Sequence, residues 1–144
     1  MATVDRRGRP RSRVLHPLWS IDAAGALSGV VLTRPTPLKR GHLAHVPAVS
    51  CSYWHPGQDV AVAECAAAWM TDPAARHAAW DAVASAPAPV GYDPAPMWPG
   101  GPTDPDLGVL ALAPWRVMVR RAPDFAAGIA ARVWRAPAAA VVPA

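Results

Sequence analysis

The stretch that decides the fold is "LTRPTPLKRGHLAHVPAVSCSYW", residues 32–54. It begins with the end of a β-forming run and places Thr36, a good helix N-cap, before Pro37, which suits the first helical position. Pro47 is expected to end this helix after about ten residues. In the following "AVSCSYW", every second residue shares a face. The stretch therefore predicts a strand, a short helix and a second strand.

Lys39, in the first turn of that helix, is the only lysine among the fourteen lysine and arginine residues of the chain. The backbone N–H groups of a first turn lack internal partners, and the helix dipole adds positive charge, so a phosphate binds well there. The lysine side chain ends in a compact ammonium group, whereas that of arginine ends in a larger, planar guanidinium. We predict a phosphate site at Lys39, with the hydroxyl of Thr33, and with Arg34 and Arg40 nearby in sequence. The alternative is a solvated surface lysine.

The rest of the chain is predicted to form short strands joined by turns. Asp, Gly and Pro place three tight turns at residues 5–8, 22–25 and 55–58. A long strand, "DVAVAECAAAWM" at residues 59–70, is expected to pair back on "AVSCSYW" as an antiparallel hairpin. A further hairpin is predicted in residues 107–121, with its turn at Ala113–Pro114, and a final strand in residues 129–135.

A second helix is predicted after Asp72, which caps it. Trp80, Val83 and Ala84 then share one helix face. The Pro- and Gly-rich residues 87–106 form a long loop, of a length that is often functional.

These elements predict a mainly β fold, a small antiparallel barrel of six to eight strands with two short helices. No alternation of strands and helices is long enough for a parallel sheet. We expect one domain, residues 1–136, followed by a disordered tail, residues 137–144, of Ala, Pro and Val. The first strand begins almost at Met1, so we expect a natural segment upstream of it.

The composition indicates the kind of partner and the cellular compartment to expect. The formal net charge is +4, which favours anionic partners. With neither a signal peptide nor a long apolar run, the expected location is the cytoplasm and no membrane is crossed. Cys51 and Cys65 lack metal-site spacing and are expected to be buried, reduced thiols.

The order of the motifs resembles the pyridoxamine 5′-phosphate oxidase-like, FMN-binding split-barrel family. That family runs from strand-Thr through a short connector to Ser-Arg-Lys, a helix, Asn-Pro, a strand and an aromatic residue before Trp. This chain has, in the same order, Leu32-Thr33, Pro37-Leu38-Lys39, Val46-Pro47 and Tyr53-Trp54. Upstream, Arg13-Val14-Leu15 is similar to the family strand that lines the flavin. The resemblance covers residues 2–121 and implies a split barrel of Greek-key type.

The resemblance also implies the cofactor and its site. Lys39 and Thr33 would hold the phosphate of FMN, and Arg13, Val14 and Leu15 would contact its ribityl chain and isoalloxazine ring. The other site residues that it implies are Leu32, Arg34 and Arg40. Pro37 and Leu38 stand where the family has Ser and Arg, and Arg34 or Arg40 would compensate. The deazaflavin F420 and haem are the alternative cofactors, because related split barrels use them.

The function implied is that of an FMN-dependent oxidoreductase with a small-molecule substrate, acting as a homodimer. The C-terminal Arg-x-His motif of true pyridoxamine phosphate oxidases is absent, so we expect a different substrate. An F420-dependent reductase and a flavin- or haem-binding module without turnover are the alternatives. No side chain is predicted to be catalytic.

Three other features of the sequence have possible functional meanings. His42, His45 and His55 lack the additional ligands of a zinc site, so we predict no metal. "RRGRPRSR", residues 6–13, contains an Arg-Gly-Arg-Pro core that suits an AT-rich minor groove, but strand-like flanks favour a hairpin turn, and a DNA-associated protein is the second alternative. Trp98 would either cover a flavin ring or pack on the barrel.

Overall fold

The computed structural model describes residues 1–137 and consists of a single antiparallel sheet with three short helices. Its strands are β1 (Ala2–Val4), β2 (Pro10–Ser12), β3 (Leu18–Ile21), β4 (Leu27–Thr33), β5 (Ala48–Trp54), β6 (Val60–Trp69), β7 (Gly108–Arg120) and β8 (Arg132–Arg135). Its helices are α1 (Pro37–His45), α2 (Pro73–Ser85) and α3 (Ala122–Ala126), with a 3-10 turn at Gly101–Thr103. Residues 138–144, most of the predicted tail, lie outside the described residues.

The strand order is β2-β1-β5-β6-β7-β4-β3, with β8 also paired to β7. The strands at the two ends of this order do not pair with each other, so the described sheet is not closed. The predicted mainly β, antiparallel split barrel is confirmed. The three predicted tight turns are also present: the N–H of Gly8, Gly25 and Gln58 donates to the carbonyl three residues earlier, at 2.7–2.9 Å.

The prediction of a hairpin in residues 107–121 is wrong, because β7 runs unbroken from Gly108 to Arg120. Cys65 lies opposite Pro114 and Glu64 opposite Arg116, so Trp115 is an extra residue in a β-bulge. Proline lacks an N–H group but is tolerated at a bulge. Ala-Pro therefore bends this strand rather than reversing it, and the predicted final strand, β8, pairs with its second half.

The buried residues form two clusters, one on each side of β4 and β7. The cluster inside the barrel contains Val31, Leu43, Val49, Cys51, Ala63, Cys65, Ala67, Leu110 and Leu112. The cluster beneath α2 contains Leu32, Ala79, Val83, Trp98, Leu107 and Val109. Successive residues of a strand point to opposite faces, so these two strands supply both clusters. This explains their almost continuous apolar sequence.

Helix α2 begins as predicted, since the Asp72 carboxylate accepts the N–H of Ala75 at 2.7 Å. Its buried face differs from the prediction. Ala79 and Val83 are buried, whereas Trp80 is half-buried and Ala84 is exposed. The i, i+4 pair is the one that contacts the sheet. Within residues 1–137, no helix is long and apolar enough to cross a membrane.

The candidate cofactor phosphate site

The site is built where β4 ends and α1 begins. Thr36 caps α1, because its hydroxyl accepts the N–H of Lys39 at 3.3 Å, and Pro37 is the first helical residue. Both predictions are confirmed. Opposite Thr33 lies Gly108, where a methyl group would be 2.6 Å from the ring of Trp69 and 3.1 Å from the Thr33 carbonyl oxygen. A glycine here lets the turn after β4 pack tightly against β6.

Lys39 is buried, with 5 % of its surface exposed. Its Nζ donates to the Thr33 hydroxyl and, at 2.7 Å, to the carbonyl oxygen of Arg34. The alternative of a solvated surface lysine is therefore wrong. An ammonium has three donors, and these two hydrogen bonds use two of them. The third is left for a further acceptor.

The surroundings of Lys39 are electropositive. Burial lowers the pKa of its ammonium, and the nearby guanidinium of Arg13 lowers it further. In residues 1–137 the ion pairs join Asp5 to Arg9 and Glu64 to Arg116, so Lys39 has no carboxylate partner there. A buried charge without a counter-charge is costly. An anion at this position would offset that cost.

A second buried network lies beside Lys39 and was missed by the sequence analysis. The Thr3 hydroxyl is 2.9 Å from Nδ1 of His42 and accepts a 2.9 Å hydrogen bond from Arg13. Thr3 is fully buried and His42 is 5 % exposed. His42 follows Lys39 by three residues, so both lie on the same face of α1. The spacing of Lys39 and His42 could have shown from the sequence that they share a helix face. Nothing in the neighbouring sequence indicated that Thr3 of β1 would pack against them.

The other residues predicted to bind the cofactor, Arg40, Arg34 and Leu32, do not all face Lys39. The Arg40 guanidinium lies 5.3 Å from the ring centroid of Trp69 and donates to the Pro35 carbonyl oxygen at 3.2 Å. The Arg34 side chain is exposed and has no hydrogen bond within the described residues. Leu32 is 5 % exposed and belongs to the cluster beneath α2. Its side chain thus lies on the sheet face opposite Thr33.

Residues 13–15 differ from the expected strand. They belong to an irregular segment between β2 and β3, in which Val14 is 99 % exposed and Leu15 packs on the barrel core. Regular pairing of β2 ends at Ser12, opposite Ala2. Arg13 is held by its side-chain contact with Thr3 instead. The structure thus brings Arg13 to Lys39, while Val14 faces solvent.

The structure also shows where the arginine-rich stretch and Trp98 lie. The Arg6–Arg9 stretch forms the turn between β1 and β2, where Arg9 pairs with Asp5 at 2.8 Å. Trp98 is buried beneath α2, and its N–H donates to the Asp106 carbonyl oxygen at 3.2 Å. Packing on the barrel is therefore the correct interpretation of Trp98. In the described part of the chain, no three His, Cys, Asp or Glu side chains converge on a point where a metal could bind.

Comparison with known proteins identifies the fold. No family model and no curated protein matches the chain. Several solved structures do match. One is a protein related to general stress protein 26 of B. subtilis, of the pyridoxinephosphate oxidase family, from Clostridium acetobutylicum, with 13 % identity and a TM-score of 0.71 over 93 % of this chain and 82 % of that one.

Two further structures are similar over most of this chain. A pyridoxamine 5′-phosphate oxidase-related, FMN binding protein from Nostoc punctiforme has 15 % identity and a TM-score of 0.60, over 94 % of this chain and 85 % of that one. A heme binding protein from Mycobacterium smegmatis has 21 % identity and a TM-score of 0.56, over 93 % of this chain and 50 % of that one. The chain therefore has the fold of the pyridoxamine 5′-phosphate oxidase-like split-barrel proteins, and the resemblance seen in its sequence is confirmed at that level.

Proposed function

We propose that this protein binds FMN through its phosphate at Lys39 and acts as a flavin-dependent oxidoreductase on a small molecule. The observation that carries the proposal is the buried Lys39 ammonium, which has one donor left and has no carboxylate partner within the described residues. A phosphate supplies both the missing charge and the missing acceptor. The FMN binding protein from Nostoc punctiforme, which shares the fold, supports a flavin.

The residues around Lys39 fit a phosphate. The first turn of α1 contributes backbone N–H groups and the positive end of the helix dipole. Thr33 adds a hydroxyl, and Arg13 adds a second cation on the side of β1. Arg34 is better suited than Arg40 to replace the arginine for which this chain has Leu38. The Arg34 guanidinium is uncommitted within residues 1–137, whereas that of Arg40 is bonded to Pro35.

In this proposal the chain binds and orients the cofactor. Bound flavin supplies the hydride chemistry. Lys39 and Arg13 would neutralise the phosphate, and Thr33 would help to position it. The network through Thr3 and His42 keeps Arg13 in place. No side chain is assigned as an acid or base.

Two alternatives use the same fold. Coenzyme F420 also carries a phosphate group, so the Lys39 site suits it equally. A haem-binding module is favoured by the similarity to the heme binding protein from Mycobacterium smegmatis. Haem lacks a phosphate and would present a propionate carboxylate to Lys39 instead. We place FMN first because the FMN binding protein has the higher TM-score of the two, 0.60 against 0.56.

We also propose a homodimer. The register places Trp54, Val60 and Val62 on one face of β5 and β6, and Met118 and Val133 continue this face on β7 and β8. Trp54 is 63 % exposed and Val133 is 40 % exposed. A second copy would cover the apolar side chains of this face, which also carries the Glu64–Arg116 ion pair. Sedimentation velocity at micromolar concentration should give a dimer, and a flavin-loaded monomer would contradict it.

The proposed function is tested by identifying the ligand of the purified protein. Mass spectrometry of the small molecule released from the native protein should find FMN. NAD(P)H or another donor should bleach its absorbance near the flavin maximum, and an acceptor should restore it. If F420 or haem were released instead, the proposal that the cofactor is FMN would be wrong. Bound FMN that no donor reduces would indicate a flavin-binding module without turnover.

A further inference from the structure

One end of the barrel contains an apolar cavity of about 220 Å³. Its walls are inward-facing side chains of five strands: Trp19, Leu27, Tyr53, Ala61, Ala63 and Val117. Leu27 and Thr33 are the two ends of β4. Six residues of extended chain span about 20 Å, so the cavity is separate from the phosphate site.

The aromatic walls of the cavity are held in place without any ligand. The Trp19 ring lies flat on β4, where a methyl group at Gly29 would be 2.7 Å from it. Its N–H donates to the Tyr53 hydroxyl at 2.7 Å. The two rings meet edge to face, with centroids 6.5 Å apart. A cavity with fixed walls binds more tightly because little has to be ordered on binding.

The small side chains of β6 create the space. Ala61 lies opposite Tyr53 and Val119, and Ala63 lies opposite Cys51 and Val117. Larger residues at these two positions would fill the barrel end. An apolar protein cavity of about 150 Å³ is known to hold benzene, so this one has room for a single substituted ring.

The chemistry of the lining defines the ligand. Among residues 1–137, none of those that line the cavity is charged, which disfavours ions. Burial raises the pKa of Tyr53 to about 12, so its hydroxyl stays protonated at neutral pH. That oxygen accepts the Trp19 N–H, and the polar atoms of both side chains contribute almost nothing to the cavity surface. The cavity thus offers hydrocarbon walls alone.

We propose that this cavity is a second binding site, which takes a small uncharged, apolar molecule of the size of one substituted aromatic ring. The site does not depend on the identity of the cofactor. Tyr53 is 39 % exposed, so the cavity opens to solvent and a ligand reaches it without unfolding the barrel.

Ethylbenzene and acetophenone test the proposal, because they match in size and only the second carries a polar oxygen. Isothermal titration of the full chain should give saturable binding of ethylbenzene, with acetophenone about fivefold weaker or more, because its oxygen would lose water without gaining a partner. Tyr53→Phe should bind ethylbenzene as wild type does. Ala63→Leu should weaken both compounds at least tenfold by filling the cavity.

Controls separate cavity filling from damage. Ala68→Leu adds the same bulk at an exposed position of β6 and should change neither affinity. Ala61→Val gives a milder filling if Ala63→Leu does not fold. Lys39→Ala should leave ethylbenzene binding intact. The proposal is overturned if wild type binds neither compound, if acetophenone binds more tightly than ethylbenzene, if both filled variants bind like wild type, or if FMN displaces ethylbenzene.

Discussion

The side-chain nitrogen of Lys39 donates a 2.7 Å hydrogen bond to the carbonyl oxygen of Arg34. This contact ties the first turn of α1 back to the connector that follows β4. It holds the ammonium inside the protein rather than in solvent, where a lysine side chain normally lies. Because the buried ammonium contacts only neutral acceptors, an anionic ligand would offset the free-energy cost of burying its charge.

Lys39→Ala is therefore expected to weaken FMN binding about tenfold to a hundredfold, the equivalent of about 1.5–3 kcal/mol for a charge-assisted contact. Lys39→Arg should be intermediate, because it keeps the charge but changes the geometry. Fluorescence titration of apoprotein with FMN measures both. Riboflavin, which lacks the phosphate, should bind wild type and Lys39→Ala equally. Arg121→Ala removes one exposed charge and should have little effect. Unchanged FMN affinity in Lys39→Ala would remove Lys39 from the site.

The lowered pKa of Lys39 predicts a pH dependence of stability. Between that pKa and the ordinary lysine value near 10.4, the unfolded chain binds more protons than the folded chain. The free energy of unfolding of the apoprotein should therefore rise with pH in that window, as the buried ammonium loses its proton. Urea unfolding of wild type and Lys39→Met between pH 7 and 10 measures the effect. The difference between the two proteins should shift in favour of wild type as pH rises, and a constant difference would contradict the prediction.

Thr3→Val should destabilise the fold by about 1–3 kcal/mol, although the shape is nearly unchanged. The hydroxyl is fully buried and bonds both His42 and Arg13, so its loss leaves two polar groups without a partner. Thr71→Val changes an exposed threonine and should stay within about 0.5 kcal/mol. Chemical unfolding compares them. Equal stabilities would mean that water replaces the hydroxyl at no cost.

Gly108→Ala should destabilise by about 1–3 kcal/mol, the range typical of overpacking. The new methyl group would lie 2.6 Å from the Trp69 ring and 3.1 Å from the Thr33 carbonyl oxygen. Gly41→Ala is the matched control, since it adds a methyl group in open space on α1 and should stabilise by about 0.5–1 kcal/mol. The melting temperature of Gly108→Ala should lie below that of wild type, and that of Gly41→Ala should lie above it. A melting temperature of Gly108→Ala at or above that of wild type would contradict it.

The sequence by itself determined the elements whose signals are local. The starts of α1 and α2 were predicted from Thr36 with Pro37 and from Asp72 with Pro73. A helix cap needs only a side-chain oxygen and the first turn of its own helix. The Asp-Gly turns and the antiparallel β5–β6 hairpin followed from neighbouring residues in the same way. The position of Lys39 in a first turn was also a local fact.

Only the tertiary structure decided what depends on partners distant in sequence. Pro114 lies at a bulge rather than in a turn because β6 pairs with β7 on both sides of it, from Leu110 to Arg120. Thr3 and His42 are 39 residues apart and meet only because β1 packs beside α1. The burial of Lys39 and its lack of a carboxylate partner within the described residues depend on the same packing. A local pattern specifies a residue's own conformation, whereas burial and charge compensation are set by the elements that the fold packs around it.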